Sequence, residues 1–213
     1  MFKKLLTSIL LVSQLSFSQT EKDDYEIYAS ILAEQLKFGI SDETDSIVLI
    51  EQFVNKHDVS DYELFDYKTD SIHGSDINFL SSNGVSKSFI NRLKNESELR
   101  KVIKELTDDF TIQPKIKAEL LSTNYLNIQS ISTEKFNSYF RKKRWRKNAW
   151  KRIKRKYGTD NIIEFSKVNY NGNFTTTYCG INCGGLCGNG FFIVLERIDE
   201  KWKTIALINL WES

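Results

Sequence analysis

Apolar residues recur along this chain with two spacings, and each spacing predicts a different kind of element. From Asp23 to Phe38 they fall three or four residues apart, which is typical of an amphipathic helix, and Gly39 is placed to end it. Glu96 to Leu106 has the same helical spacing. Ser46 to Val54 is instead a nearly continuous run of β-branched and other apolar residues, which predicts a buried strand.

The middle of the chain has weaker patterns. Asp58 to Asn83 is rich in Asp, Ser and Tyr and has no clear period, so we expect it to be mostly loop. Tyr125 to Ile131 is a candidate for a short strand. Ser132 follows as a helix N-cap, and we expect the helix that it starts to run through Phe136 and Phe140.

The C-terminal part of the sequence, from Asn161 onwards, is the most regular. Four apolar segments are separated there by glycine-rich or polar turn residues: Asn161–Tyr170, Phe174–Ile181, Phe191–Ile198 and Trp202–Trp211. Because short turns join antiparallel strands, the pattern predicts a four-stranded antiparallel meander. Helices packed on that sheet would make residues 19–213 a single α+β domain.

The N-terminus has the three parts of a secretory signal peptide. Lys3 and Lys4 precede an apolar run, and small residues follow it up to Ser18. We expect cleavage after Ser18, so that residues 1–18 are the signal peptide and the mature protein is exported to the periplasm or the medium. The run is shorter than the roughly 20 apolar residues that span a bilayer, and no later segment is apolar enough to be a transmembrane helix.

Charge is unevenly distributed along the mature chain. Loss of Lys3 and Lys4 with the signal peptide would leave equal numbers of basic and acidic residues. Arg141 to Lys156 nevertheless holds eleven Lys and Arg residues and no acidic one, so the rest of the mature chain has an equal excess of acid. Such a run is either a solvated face paired with acidic parts of the same protein or a surface that binds a polyanion or an anionic membrane.

On a continuous helix, the apolar residues of this region would share one side: Phe136, Phe140, Trp150, Ile153 and Tyr157. Trp145 would lie on the opposite, basic side, where an aromatic ring among cations can stack on bases or lie at a lipid headgroup boundary. The candidate polyanion-binding residues are therefore Arg141, Lys142, Lys143, Arg144, Trp145, Arg146 and Lys147. If the helix breaks near Arg144, Trp145 would instead pack inward.

All three cysteines lie in one glycine-rich segment, Cys179 to Gly190. If Gly184-Gly185-Leu186 is a three-residue turn, Cys183 and Cys187 face each other and form a disulfide. Cys179 is then left about 13 Å from Cys183 along the strand. A register centred on Cys183 would instead place Cys179 opposite Cys187. We favour the first pairing.

The histidines and cysteines are poorly placed for catalysis or metal binding. A zinc site usually has four ligands, and both histidines, His57 and His73, lie far upstream of the cysteines. Neither histidine has the neighbours of a recognisable catalytic motif. The sequence therefore assigns no catalytic residue, metal ligand or cofactor, and it favours a non-enzymatic binding or interaction module of unknown partner. The alternative is a small secreted or periplasmic enzyme whose site assembles only in the fold.

Several segments of the mature chain together carry a resemblance: Tyr25-Glu26-Ile27-Tyr28, Ile47 to Ile50, Trp150 seven residues before Tyr157, Ile162 to Ser166, Cys183 to Gly190, Trp202-Lys203 and Trp211-Glu212-Ser213. They are similar to a family of exported proteins common in Bacteroidota. The resemblance implies export, but it implies no activity, ligand or catalytic residue. Such proteins typically have an aliphatic or aromatic residue where this chain has Cys179, so a role for the Cys183 and Cys187 pair need not extend to Cys179.

The signal-peptide interpretation predicts where the mature protein begins. Material purified from the native host should start at Gln19 or Thr20 and should fractionate outside the cytoplasm, because a signal peptidase removes the leader during export. Terminal sequencing by mass spectrometry measures this directly. An intact Met1 on cytoplasmic material would contradict it.

Overall fold

The computed structural model describes seven parts of the chain: residues 22–34, 46–54, 72–104, 115–121, 123, 126–141 and 148–213. The expected signal peptide, His57 and residues 142–147, which include Trp145, lie outside them.

The described residues contain both helices and strands. The helices are α1 (22–34), α2 (Gly74–Ser82), α3 (Lys87–Asn95), α4 (Ser97–Lys104), α5 (Thr133–Ser138) and α6 (Ala149–Tyr157), with a short 3-10 helix at Ala118–Leu120. The strands are β1 (Ser46–Ile50), β2 (Asn127–Ile131), β3 (Asn161–Phe165), β4 (Asn169–Asn171), β5 (Phe174–Cys183), β6 (Gly188–Ile198) and β7 (Lys201–Glu212). The fold is therefore α+β, as the sequence predicts. None of the described helices has the length and apolar character needed to cross a membrane.

The seven described strands form one mixed sheet in the order β2-β1-β3-β5-β6-β7, and β4 pairs with the beginning of β5. β3, β5, β6 and β7 are antiparallel neighbours and form the predicted meander. The sheet has more strands than the predicted four-stranded meander because β1 pairs in parallel with both β2 and β3, and because the first predicted strand of the meander is divided into β3 and β4. Parallel pairing joins segments that are distant in sequence, so no local turn signal marks it.

Two-residue turns fix the register of the meander. β4 and β5 are joined through Gly172 and Asn173, and Gly172 has a φ of 59°. β6 and β7 are joined through Asp199 and Glu200, whose φ angles are 51° and 60°. Two successive positive φ angles are typical of the hairpin turn whose twist matches that of the strands.

The predicted strand Asn161–Tyr170 is two strands, β3 and β4, separated by a three-residue interruption that begins at the buried Ser166. Ser166 Oγ accepts the Tyr178 N–H at 2.8 Å, and the Ser166 N–H donates to the Tyr178 carbonyl at 3.0 Å. The Ser166 carbonyl accepts from the hydroxyls of Tyr28 and Thr177, both at 3.1 Å. These hydrogen bonds avoid the cost of about 1–3 kcal/mol that each unpaired buried polar group would add.

Apolar cores lie on both faces of the sheet. Helix α1 covers one face, and the other face is covered by α2, α3 and α4 at its β5–β7 end and by α5 and α6 at its β1–β3 end. The alternation along β1 shows this arrangement. Ile47 and Leu49 belong to the core under α1, whereas Val48 and Ile50 belong to the core under α5 and α6.

The structure corrects one expectation about helices and excludes one of two alternatives considered for another region. Gly74–Ser82 is a helix rather than loop, and only Leu80 is buried along it, so the sequence has no apolar period there. The continuous helix considered from Phe136 to Tyr157 is not present, because α5 ends at Ser138 and α6 begins at Ala149. The aromatic residues on the two sides of this break still meet: the ring centroids of Phe140 and Trp150 are 5.5 Å apart.

Candidate functional site

The glycine-rich segment forms the hairpin between β5 and β6, and a Cys183–Cys187 disulfide closes it with α-carbons 5.1 Å apart. The Cys183 N–H donates to the Cys187 carbonyl at 2.9 Å. Gly184 has a φ of 114°, a backbone conformation that a residue with a β-carbon rarely adopts. The three-residue turn and the favoured cysteine pairing are therefore both present. Leu186, at the tip of this turn, is 92% exposed.

Cys179 is separated from this disulfide by its position in the sheet. It pairs with Phe165 on β3 and with Phe191 on β6, and its side chain is fully buried in the core under α1. The alternative register, which would link Cys179 to Cys187, is therefore not the one adopted. Burial and, to a lesser extent, the negative charge of Glu164 raise the pKa of the Cys179 thiol well above its ordinary value. The thiol is consequently protonated and inert at neutral pH.

A polar cluster of Glu164, Tyr178 and Trp211 lies on the opposite face of the sheet from Cys179. The Tyr178 hydroxyl donates to Glu164 Oε1 at 3.2 Å and accepts the Trp211 indole N–H at 3.1 Å. Burial and then the charge of Glu164 raise the pKa of Tyr178, so the phenol stays neutral at physiological pH. These contacts hold the Trp211 ring against the sheet.

Two cross-strand glycines make room for this cluster. Gly180 pairs with Gly190, and Gly190 pairs with Trp211 on the next strand. A β-carbon at Gly190 would overlap the indole ring of Trp211. A β-carbon at Gly180 would lie 2.6 Å from the Tyr178 hydroxyl and 2.7 Å from Glu164 Oε1. These two glycines therefore serve the close approach of side chains to the backbone.

Helix α6 has one apolar and one basic side. Ala149 and Ile153 are fully buried, and Trp150 packs beside them against Phe136 and Phe140. Gly158, with a φ of 78°, ends the helix. Four basic side chains on its other side are exposed: Lys151, Lys154, Arg155 and Lys156. We call these four residues the cationic face.

Carboxylates neutralise little of the cationic face. Within the described residues, Lys154 alone among the four pairs with a carboxylate, with its Nζ 3.3 Å from Asp160 Oδ1. The Nζ of Lys156 lies 5.0 Å from the ring centroid of Tyr157. Lys154, Arg155 and Lys156 occupy the last turn, where the helix dipole favours cations. The placement that stabilises the helix therefore also concentrates positive charge at the surface.

The structure describes only part of the predicted polyanion-binding residues. Arg141 is described and exposed, whereas Lys142, Lys143, Arg144, Trp145, Arg146 and Lys147 lie outside the described residues. The cationic face belongs to the same basic run, but the predicted site did not include it. The apolar spacing of Ala149, Trp150, Ile153 and Tyr157 was the available signal, because it leaves the intervening basic residues on the other side of the helix.

The described residues that could take part in acid–base catalysis or metal binding do not form such a site. The backbone N–H of His73 donates to Asp76 Oδ2 at 2.8 Å, which places both residues at the start of α2. The described part of the chain contains no group of three or more His, Cys, Asp and Glu side chains that could hold a metal ion.

No family model, curated protein or solved structure matches this chain. The resemblance to exported proteins of Bacteroidota therefore stays a prediction.

The close approach at Gly190 predicts a large effect of one methyl group. Gly190→Ala should lower the free energy of unfolding by about 2–3 kcal/mol, because the β-carbon displaces Trp211 from its packed position. Gly185→Ala is the matched control, since its β-carbon would lie 3.5 Å from Trp150 Cδ1 in ordinary contact and should change stability by less than about 0.5 kcal/mol. Urea unfolding measures both. Equal stabilities of the two variants would contradict the close approach.

The disulfide assignment predicts a pattern of thiol reactivity. At about pH 8 the native protein should not react with iodoacetamide, because Cys179 is buried and its thiol pKa is raised. Unfolding without a reductant should expose one thiol, Cys179, and reduction should then release Cys183 and Cys187. Peptide mapping identifies the labelled residues. A peptide in which Cys179 is linked to Cys187 would contradict the assignment.

Proposed function

We propose that this protein is an exported, non-enzymatic binding module that attaches to polyanionic material through the cationic face of α6. The observation that carries the proposal is the division of this helix into a buried apolar side and an exposed basic side. Ile153 and Ala149 fix the helix to the sheet, so the orientation of the basic residues toward solvent is set by the core.

The charge distribution supports binding rather than internal pairing. The acidic excess lies elsewhere in the mature sequence, but within the described residues Asp160 is the one carboxylate that reaches the cationic face. Unpaired exposed cations cost little in water and remain available to an anionic partner. Arg141, which belongs to the same basic run, is also exposed.

The expected strength of binding follows from the number of charges. A basic residue near an anionic surface contributes about 1 kcal/mol, so the four residues of the cationic face contribute about 4 kcal/mol. On their own they correspond to a dissociation constant of about 1 mM. Binding through this face alone is therefore weak and strongly dependent on salt.

The proposed location is the periplasm or the medium. The Cys183–Cys187 disulfide is consistent with an oxidising compartment, because cytosolic thiols are kept reduced. The N-terminal signal-peptide prediction points to the same location.

Reversing charge on the cationic face tests the proposal. Lys151→Glu combined with Arg155→Glu should weaken binding to heparin, used as a model polyanion, by about 30-fold or more, because it removes two attractions of about 1 kcal/mol each and adds repulsion. Elution from a heparin column and titration at about 50 mM salt measure the change.

The matched control reverses two charges on another helix of the same length. Lys87 and Lys94 are exposed on α3, and Lys94 lies in its last turn, as Arg155 does in α6. Lys87→Glu combined with Lys94→Glu changes the net charge equally and should leave most of the heparin affinity. An equal loss in both variants, or no retention of the wild type at low salt, would overturn the proposal.

A further inference from the structure

Leu186 is the feature that the proposed function does not use. Its side chain is 92% exposed, and the next most exposed large apolar side chain among the described residues is Leu120, at 43%. The disulfide and the hydrogen bond from Cys183 N–H to Cys187 O, at 2.9 Å, close the turn below it. The hairpin thus holds one leucine in solvent on a short, covalently closed support.

The turn that carries Leu186 lies against α6. A β-carbon at Gly185 would be 3.5 Å from Trp150 Cδ1, and one at Gly184 would be 3.8 Å from Asp160 Oδ2. The other oxygen of Asp160, Oδ1, is 3.3 Å from Lys154 Nζ. The turn below the apolar tip therefore contacts α6 at Trp150, and Asp160 connects it to Lys154 of the cationic face.

This combination distinguishes between kinds of polyanion. A soluble polyanion offers charge to the cationic face but no apolar phase for a leucine. An anionic bilayer offers both, and binding to its surface depends on the apolar area buried as well as on electrostatic attraction. Because the disulfide orders the turn beforehand, inserting its tip requires little further loss of conformational freedom.

We propose that the protein docks on anionic lipid bilayers, with the cationic face at the headgroups and Leu186 entering the boundary of the acyl chains. This inference rests on the proposed function and specifies its partner. The electrostatic attraction of the cationic face is weak on its own. Burial of the leucine side chain adds affinity that salt does not screen.

The test compares vesicles with heparin. The partition coefficient of the folded, disulfide-bonded protein is measured by cosedimentation with phosphatidylcholine vesicles containing about 30% phosphatidylglycerol. Leu186→Ser should lower it about tenfold, the size expected for withdrawing one leucine from an apolar phase, and should leave heparin affinity unchanged. Leu120→Ser is the matched control and should change neither value. Circular dichroism verifies that each variant is folded.

A second measurement reports the depth of the tip. Leu186→Trp places a fluorophore at the turn, and acyl-chain-brominated phosphatidylglycerol should quench its emission more strongly than that of the wild-type tryptophans. Quenching no greater than in the wild type would overturn insertion of the tip.

The outcomes separate this inference from the function on which it rests. Heparin binding without vesicle binding, or vesicle binding that Leu186→Ser leaves unchanged, would overturn bilayer docking and leave the polyanion-binding proposal intact. The expected result has two parts. The double variant Lys151→Glu with Arg155→Glu loses binding to both heparin and vesicles, whereas Leu186→Ser loses binding to vesicles alone. Absence of both heparin and vesicle binding in the wild type would overturn both proposals.

Discussion

The structure depends on the burial of strand β5 on both faces. Every residue from Phe174 to Ile181 is buried, with β3 and β4 along one edge and β6 along the other. Burial on both faces requires partners for the polar groups of the strand, and three threonine hydroxyls donate to carbonyls of neighbouring segments: Thr175 to Asn169, Thr176 to Val102 and Thr177 to Ser166. These bonds connect β4, α4 and Ser166 to a single strand, and the same strand ends in the disulfide hairpin.

The parts of the fold that depend on local signals could be predicted from the sequence. Turn residues mark the meander, and Ser132 accepts the Lys135 N–H as the predicted N-cap of α5. The parallel pairing of β1 with β2 and β3 could not be predicted, because residues as distant as Val48 and Ile162 meet there and no short turn joins them. Helix α2 was missed because it buries little apolar surface. It joins the core through Leu80, with Ile77 and Phe79 partly buried beside it, and a single sequence does not identify this packing.

In the candidate site, too, features with a local sequence signal could be predicted, whereas features that depend on contacts between distant residues could not. The length of the glycine-rich turn favoured a Cys183–Cys187 disulfide over a Cys179–Cys187 disulfide, and the structure has the favoured one. The contacts of Glu164, Tyr178 and Trp211 join three strands through the register of the sheet, at sequence separations of 14 and 33, and no local pattern signals them. The exposure of the basic residues of α6 depends on where Ile153 meets the core. Charge composition could identify the basic run, but only the fold could show which of its residues face solvent.

The position of Cys179 has a consequence for how the protein acquires its disulfide. In an unfolded chain Cys179 competes with Cys183 for Cys187, since all three are close in sequence. A β-hairpin forms in about 1–10 μs, whereas disulfide formation takes seconds or longer. Pairing of β5 with β6 can therefore bring Cys183 opposite Cys187, and place Cys179 opposite Phe191, before oxidation occurs. Strand pairing thus favours Cys183 over Cys179 as the partner of Cys187. In the folded protein, burial of the Cys179 thiol prevents thiol–disulfide exchange with the Cys183–Cys187 bond.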